Sequence, residues 1–366
     1  MHQIPLVDTG RLFDDEREAI EREIARVHKN GLYVKGPAVF EFEEEFAAYH
    51  GEGFTCVGVG NGEDALTLSI KSLDAEPGGQ ILVPSNDGGF AALACQNAGF
   101  KPVPVDVDET SALVTVEDLT RALTRNTVAV VATHLHGSMV DIGAFSRFCD
   151  DNSLLLIEDC SQAHGATSKG IRVGTTGLVA AYSHYPTKNL GAFGDAGSVV
   201  TRNTAQARKI RHLANYGWEE RYSIAIRGGQ NTRLDSIQAG VLKAKLPFLD
   251  RNNEIRAQIL QRYAAGVPSG RFLHSISGTS VAHHAVLVTS LRAQVSKALT
   301  THQIGWDIHY PHLIQDMPGL EINRGTETPV SKALSKKQLS LPCFPSLQIE
   351  EVDFVTSVII EAMSTK

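Results

Sequence analysis

The sequence predicts an α/β fold, a mostly parallel sheet sandwiched by helices, with a smaller C-terminal α+β region. Three observations predict it. Short apolar runs alternate with segments of helical period; several runs are apolar on both faces, as strands covered on each side must be; and the glycine-rich first part of the chain changes character after Arg233. Strands are read at 54–59, 80–84, 101–107, 128–133, 154–159, 179–183 and 197–201, with Val128-Ala-Val-Val-Ala132 and Leu154-Leu-Leu-Ile157 the most apolar. The stretches between them are long enough for helical crossovers, placed near 62–73, 88–98, 115–124, 141–151 and 203–215. Thr115-Val-Glu-Asp118 is close to a capping box.

Beyond Arg233, Leu234, Ile237, Val241 and Leu242 keep helical spacing until Pro247 interrupts, and Ile255, Ile259, Leu260 and Tyr263 resume it. This connector leads into a strand near 285–289, a helix near 291–300 and a last helix near 350–363. The expected division is a large domain at 1–247 and a small one at 248–366, within the two or three domains that about 150 residues each would allow.

Composition removes several classes of function. The chain has 366 residues and a formal net charge of −7, and its longest basic run is Lys336-Lys337, which offers no footprint for nucleic acid or an anionic membrane. Apolar stretches are too short for a bilayer span of about 20 residues. Met1-His2-Gln3-Ile4-Pro5 has neither the basic nor the apolar region of a secretory leader. Five dispersed cysteines without a C-x-x-C fit reduced thiols in the cytoplasm.

Three segments carry chemistry. Gly58-Val-Gly60-Asn-Gly62-Glu63 follows a strand and opens a helix; it misses the dinucleotide spacing, because Glu63 stands where G-x-G-x-x-G needs glycine. It is therefore either a phosphate cradle at a helix N-terminus or a tight turn. Asp159 ends a buried strand, where a carboxylate is costly unless paired, and serves as a helix cap or as partner to a cationic ligand atom. Lys188 lies between a strand end and Gly191, Gly194 and Gly197; it is a surface lysine or, desolvated beside a bulky ligand, an amine fit to form a Schiff base. Anion cradle, carboxylate and lysine together are the groups pyridoxal 5'-phosphate needs.

Ile157-Glu-Asp-Cys-Ser-Gln-Ala-His-Gly165, Tyr185-Pro-Thr-Lys-Asn-Leu-Gly191 and Gln230-Asn-Thr-Arg-Leu-Asp235 resemble the DegT/DnrJ/EryC1/StrS sugar aminotransferases. The resemblance implies an aspartate-aminotransferase-like fold (pyridoxal phosphate fold type I) and a transaminase that carries nitrogen from L-glutamate to a nucleotide-linked keto-sugar. The 185–197 segment looks more like enzymes acting at C3 of a dTDP-linked 3-keto-6-deoxyhexose than at C4. By resemblance, Lys188 holds the cofactor and moves the proton, Asp159 pairs with the ring nitrogen, and Gln162 lies beside the ring. Gly62, Glu63 and Ser183 form the phosphate cup. Asn231 reaches the phosphate across a homodimer interface, and Tyr185, His309 and Tyr310 line the sugar pocket.

Two positions depart from the family pattern. Glu63 replaces a hydroxyl residue, so its carboxylate is expected to point away and leave only its N–H. Gly88 falls where the family carries a ring-stacking aromatic, for which Phe90 is the expected substitute. Arg221, Arg227 and Arg233 are candidates for the glutamate carboxylate. His134 and His136, read as alternating on a strand, lack the accompaniments of a metal site, and none is assigned. Trp218 is expected in the pocket wall or core. G-x-S-x-G and G-x-x-x-x-G-K-[ST] are absent. The rivals are a nicotinamide dehydrogenase, a same-fold dehydratase (in which histidine would replace Lys188) and a non-catalytic regulatory member.

Overall fold

The chain is described here from a computed structural model covering residues 3–273, 280–322 and 325–364. Met1 and His2 of the N-terminal segment read above lie outside the described residues. The seven expected runs form one sheet: β1 (Thr55–Val59), β2 (Gln80–Pro84), β3 (Lys101–Val105), β4 (Thr127–Thr133), β5 (Leu155–Asp159), β6 (Val179–Ser183) and β7 (Gly197–Thr201). Their spatial order is β1-β7-β6-β5-β4-β2-β3, and only β7 runs antiparallel to its neighbours. Period-2 alternation divides each strand between two cores. Val57, Val59, Ile81, Val83, Val131 and Ile157 pack on one face, while Cys56, Leu82, Val130, Leu156 and Tyr182 pack on the other.

The helices that cover the sheet are α1 (Asp14–Asn30), α2 (Pro37–His50), α3 (Gly62–Lys71), α4 (Phe90–Asn97), α5 (Val116–Ala122), α6 (Ile142–Asp151), α7 (Thr204–Leu213) and α8 (Ser236–Lys245). The starts of α3, α5, α6 and α7 follow from side-chain caps. Asn61 accepts from the Asp64 N–H, Asp141 from Ala144 and Asn203 from Gln206, and Thr115 with Asp118 completes a full capping box. The strand expected at 101–107 stops at Val105, because Asp106 turns to accept from the Val330 and Ser331 N–H groups. The helix expected from 88 starts at Phe90, because Gly88 and Gly89 lie at φ 81° and 92°.

A turn at Leu246–Phe248 joins α8 to α9 (Leu249–Gly266). A three-stranded antiparallel sheet follows, of β8 (Arg271–Phe272), β9 (Ala285–Val288) and β10 (Gln338–Leu341), with α10 (Arg292–Thr301), α11 (Pro329–Lys337) and α12 (Ile349–Ser364). Ile259, Tyr263, Leu287, Leu339 and Val355 form its core, which Ile4 from the N-terminus also enters. Ile314, by contrast, packs into the core of the large sheet. His134 and His136 do not alternate on a strand. β4 ends at Thr133, and Leu135–Gly137 is a short 3-10 turn with His136 at φ 58°.

Candidate active site

Three strand ends build the site. β1, β5 and β6 run parallel enough in register that Gly62, Asp159 and Ser183 emerge at one rim, and antiparallel β7 starts at the same rim, where Gly197 pairs with both Val59 and Ser183. The glycines are dictated by close approach. A Cβ on Gly62 would lie 2.8 Å from the Ser183 backbone, and one on Gly191 would lie 2.5 Å from the Pro186 carbonyl oxygen. The α3 N-terminus is thereby pressed against Ser183 with its first amides, at Gly62 and Glu63, outside the intrahelical ladder. Glu63 turns its carboxylate along the helix, accepting from Thr67 Oγ1 (2.8 Å) and Asn97 Nδ2 (2.9 Å). Its carboxylate is thus directed to Thr67 and Asn97, away from Ser183.

The rim opens into a cavity of about 450 Å³. It is lined by Gly62, Glu63, Phe90, Asp159, Gln162, Ser183, Tyr185, Lys188, His309 and Tyr310, so every expected site residue except Asn231 is brought together. Asn231 is exposed in a separate depression with Asn61 and Arg233, on the far side of the 60–64 turn. Arg221 and Arg227 are exposed and do not line the cavity. Trp218, also outside it, is half-buried in a small hairpin against Tyr216 and Tyr222 rather than in the pocket wall or core.

Lys188 is half-buried, and desolvation pulls its amine down to about 8 against the opposing pull of Asp159. Asp159 is buried and accepts from the Ser161 N–H (3.1 Å). Its neighbour Glu158 faces the other way and is spent on structure. It accepts from His134 Nε2 (3.0 Å) and from the Gly174, Thr176 and Gly177 N–H groups. Burial would raise the Glu158 carboxyl, but these donors hold it below the usual range. His134, Glu158 and Cys160 lie within 4.8 Å of one another. His134 Nδ1 accepts from the Val140 N–H, so its Nε2 carries the proton given to Glu158, and both nitrogens are in use.

Several cavity residues were not anticipated. Asp87 accepts from the Gly89 and Ala91 N–H groups and caps α4; burial pushes its carboxyl up to about 7. The signal was local, an aspartate before Gly-Gly and a helix. His283 and His284 join His309 on the opposite wall: His284 stacks on His309 at 3.9 Å between centroids and 14°, and lies 4.0 Å from His283. Burial pushes all three imidazoles down, so the wall is uncharged at neutral pH. No local pattern marks these residues, which converge only through the fold.

Residues 14–360 match the DegT/DnrJ/EryC1/StrS aminotransferase family profile. The chain belongs to this family. It is 35% identical over 363 residues to a dTDP-3-amino-3,4,6-trideoxy-alpha-D-glucose transaminase of Micromonospora megalomicea subsp. nigra, covering 96% of each chain. It is 30% identical to a pleiotropic regulatory protein of Geobacillus stearothermophilus, covering 98% of each. The crystal structure of S. venezuelae DesV superposes with a TM-score of 0.95 at 33% identity over the whole of both chains. The fold is that of the pyridoxal phosphate fold-type I sugar aminotransferases, and the family's cofactor is pyridoxal 5'-phosphate. The residues present fit that group. A desolvated amine, a buried carboxylate, open helix amides and Thr133 Oγ1, buried without a hydrogen-bond partner, all line one cavity.

Proposed function

We propose that the protein transfers an amino group from L-glutamate to C3 of a nucleotide-linked keto-sugar, a dTDP-3-keto-6-deoxyhexose. The observation that carries this is the convergence of Lys188, Asp159, Ser183 and the α3 amides on one cavity. When bound, pyridoxal 5'-phosphate supplies the electron sink that lets nitrogen pass between an amino acid and a ketone. Gly62 N–H, Glu63 N–H and Ser183 Oγ hold its phosphate, and Asp159 keeps a proton on its ring nitrogen. Gln162 and Phe90 border the ring. Lys188 Nζ holds the cofactor and moves the proton at the substrate carbon, a task suited to an amine brought down to about 8. Tyr185, His309 and Tyr310 contact the sugar.

The active form is a homodimer whose sites are completed by Asn231 of the second copy; exposed Leu32, Tyr33, Val34 and Phe193 supply apolar surface for such an interface. The division at 247/248 and a cytoplasmic location belong to the same reading, the latter supported by five free, buried cysteines. Among the described residues no helix is long and apolar enough to cross a membrane. C3 is favoured over C4 because the transaminase relative named above is a 3-amino-sugar enzyme.

A spectrum of the purified protein tests the reading. A long-wavelength band that borohydride removes, that L-glutamate shifts and that Lys188→Ala lacks supports it. A protein that stays colourless with added pyridoxal 5'-phosphate refutes it, and one that takes up cofactor without transferring amine is the regulatory alternative. NMR of the aminated sugar decides regiochemistry, with nitrogen at C4 overturning the C3 assignment. Mixing inactive Lys188→Ala and Asn231→Ala subunits restores about one quarter of the sites if they are composite, and none otherwise.

A further inference from the structure

Gly88 leaves the site without the aromatic side chain that the family pattern places there, and the structure shows what occupies that space. A Cβ built on Gly88 would meet Tyr310 Cδ1 at 3.0 Å, Tyr310 Cε1 at 3.1 Å and Phe90 Cε2 at 3.0 Å. A Cβ on Gly89 would meet Met317 Sδ at 2.8 Å. Both glycines therefore lie directly under the 310–320 segment of the C-terminal region. That seat is pinned by hydrogen bonds: the Ile314 N–H donates to the Ser85 carbonyl (3.0 Å), and Ser85 Oγ pairs with Ser331 Oγ (2.7 Å).

We propose that Tyr310, delivered onto the Gly88–Gly89 turn from the C-terminal region, is the aromatic cover of the cofactor ring, with Phe90 as its brace. This rests on the functional reading above and departs from it in taking Tyr310 as a cofactor residue first and a sugar residue second. The two rings differ in how firmly they are held. Tyr310 is fixed at both ends, its hydroxyl accepting from Gln162 Nε2 (2.8 Å) and its carbonyl from Gln338 Nε2 (3.2 Å). Gln162 is itself locked, because its Oε1 accepts from the His136 N–H (2.8 Å), and it stands three residues after Asp159. The plane of the tyrosine is thus tied to the segment that carries the ring-nitrogen partner. Phe90 is 49% exposed and meets Tyr310 edge-on, 6.0 Å between centroids at 76°. It can brace the tyrosine but has no anchor of its own. Burial, with Asp87 and Asp159 nearby, raises the Tyr310 phenol, so it meets the cofactor uncharged.

The test is cofactor affinity, measured by titrating apoprotein with pyridoxal 5'-phosphate, alongside the KM for the keto-sugar. Tyr310→Leu, which keeps apolar bulk without an aromatic face, is expected to raise the cofactor dissociation constant about tenfold, Tyr310→Phe less than about threefold, and Phe90→Ala by an intermediate amount. The apoprotein melting temperature of each variant separates lost stacking from lost folding. If Tyr310→Leu folds and binds cofactor like the parent while the sugar KM rises, Tyr310 serves the sugar alone and the inference is overturned; the functional reading then stands. If Phe90→Ala carries the whole loss, the inference also fails. A parent protein that forms no borohydride-reducible complex overturns both.

Discussion

The cavity has two walls of opposite character. One, from the ends of β1, β5 and β6, presents an amine, a carboxylate, a hydroxyl and open helix amides. The other, from the C-terminal region, presents His283, His284, His309 and Tyr310, rings in mutual contact whose imidazoles burial keeps neutral and whose phenol stays protonated. The first wall is built where β1 leads into α3, at the end of β5 and in the loop between β6 and β7, and its groups match the charges of pyridoxal 5'-phosphate. The second covers and shapes. The amine and carboxylate proposed for the chemistry both lie on the first side, at strand ends and their loops.

The largest expected effect breaks the first wall. Lys188→Ala should lower the amine-transfer rate by at least about a thousandfold, the scale of a lost proton-transfer group, with the apoprotein melting temperature unchanged or raised. A retained rate would remove the lysine from the chemistry. Asp159→Asn comes next, at about a hundredfold, because the amide keeps the bond from the Ser161 N–H but cannot hold a ring proton. A steady-state rate within threefold of the parent would detach this carboxylate from the cofactor.

The two walls should also separate by pH in the cofactor-free protein. Lys188 has its amine lowered from 10.5 to about 8, so between those values the unfolded chain binds more protons and stability rises with pH. His136, behind the second wall, is lowered from 6.5 to about 3, chiefly by burial, so stability rises with pH over that lower window and falls on acidification below 6.5. Urea unfolding across pH should therefore show a shallower alkaline slope in Lys188→Met and a shallower acidic slope in His136→Gln than in the parent. Variants that lose the opposite slope would contradict these assignments. Asp87 opposes the histidine, since a carboxyl raised to about 7 makes stability fall as pH climbs from 3.8, and Asp87→Asn should steepen the acidic slope. The smallest effect is expected of Glu63→Thr. Its carboxylate points to Thr67 and Asn97, so cofactor affinity should change by less than about threefold.

The first wall was legible in the sequence and the second largely was not. All seven strands of the main sheet could be read, because apolar runs broken by Gly and Asp announce strand ends, and strand ends carry Gly62, Asp159 and Ser183. His283 and His284 lie in an irregular stretch before β9, where no period points to a site, and meet His309 only after the C-terminal region has folded. Helices α1 and α2 were also missed. In α2, Val39-Phe-Glu-Phe-Glu43 alternates like a strand, yet the buried set of Ala38, Val39, Phe42, Phe46 and Ala47 has helical period; packing decided between them. Asn231, read as reaching the phosphate from a second copy, lies in a separate depression and bridges to Asn215.

The antiparallel strand of the main sheet has a further consequence. Because β7 returns beside β6, Ser183 and Gly197 are paired neighbours, and everything between them, including Lys188, is a closed loop hung on a fixed doorway. The loop is itself packed: Leu190, Ala192 and Ala196 are core residues, the Ala192 N–H donates to the His184 carbonyl, and Asn189 Nδ2 donates to Asn253 Oδ1 and to the Val281 carbonyl. The place of the amine is thus set by how one loop packs between two paired strands, and that of Asp159 by the sheet itself.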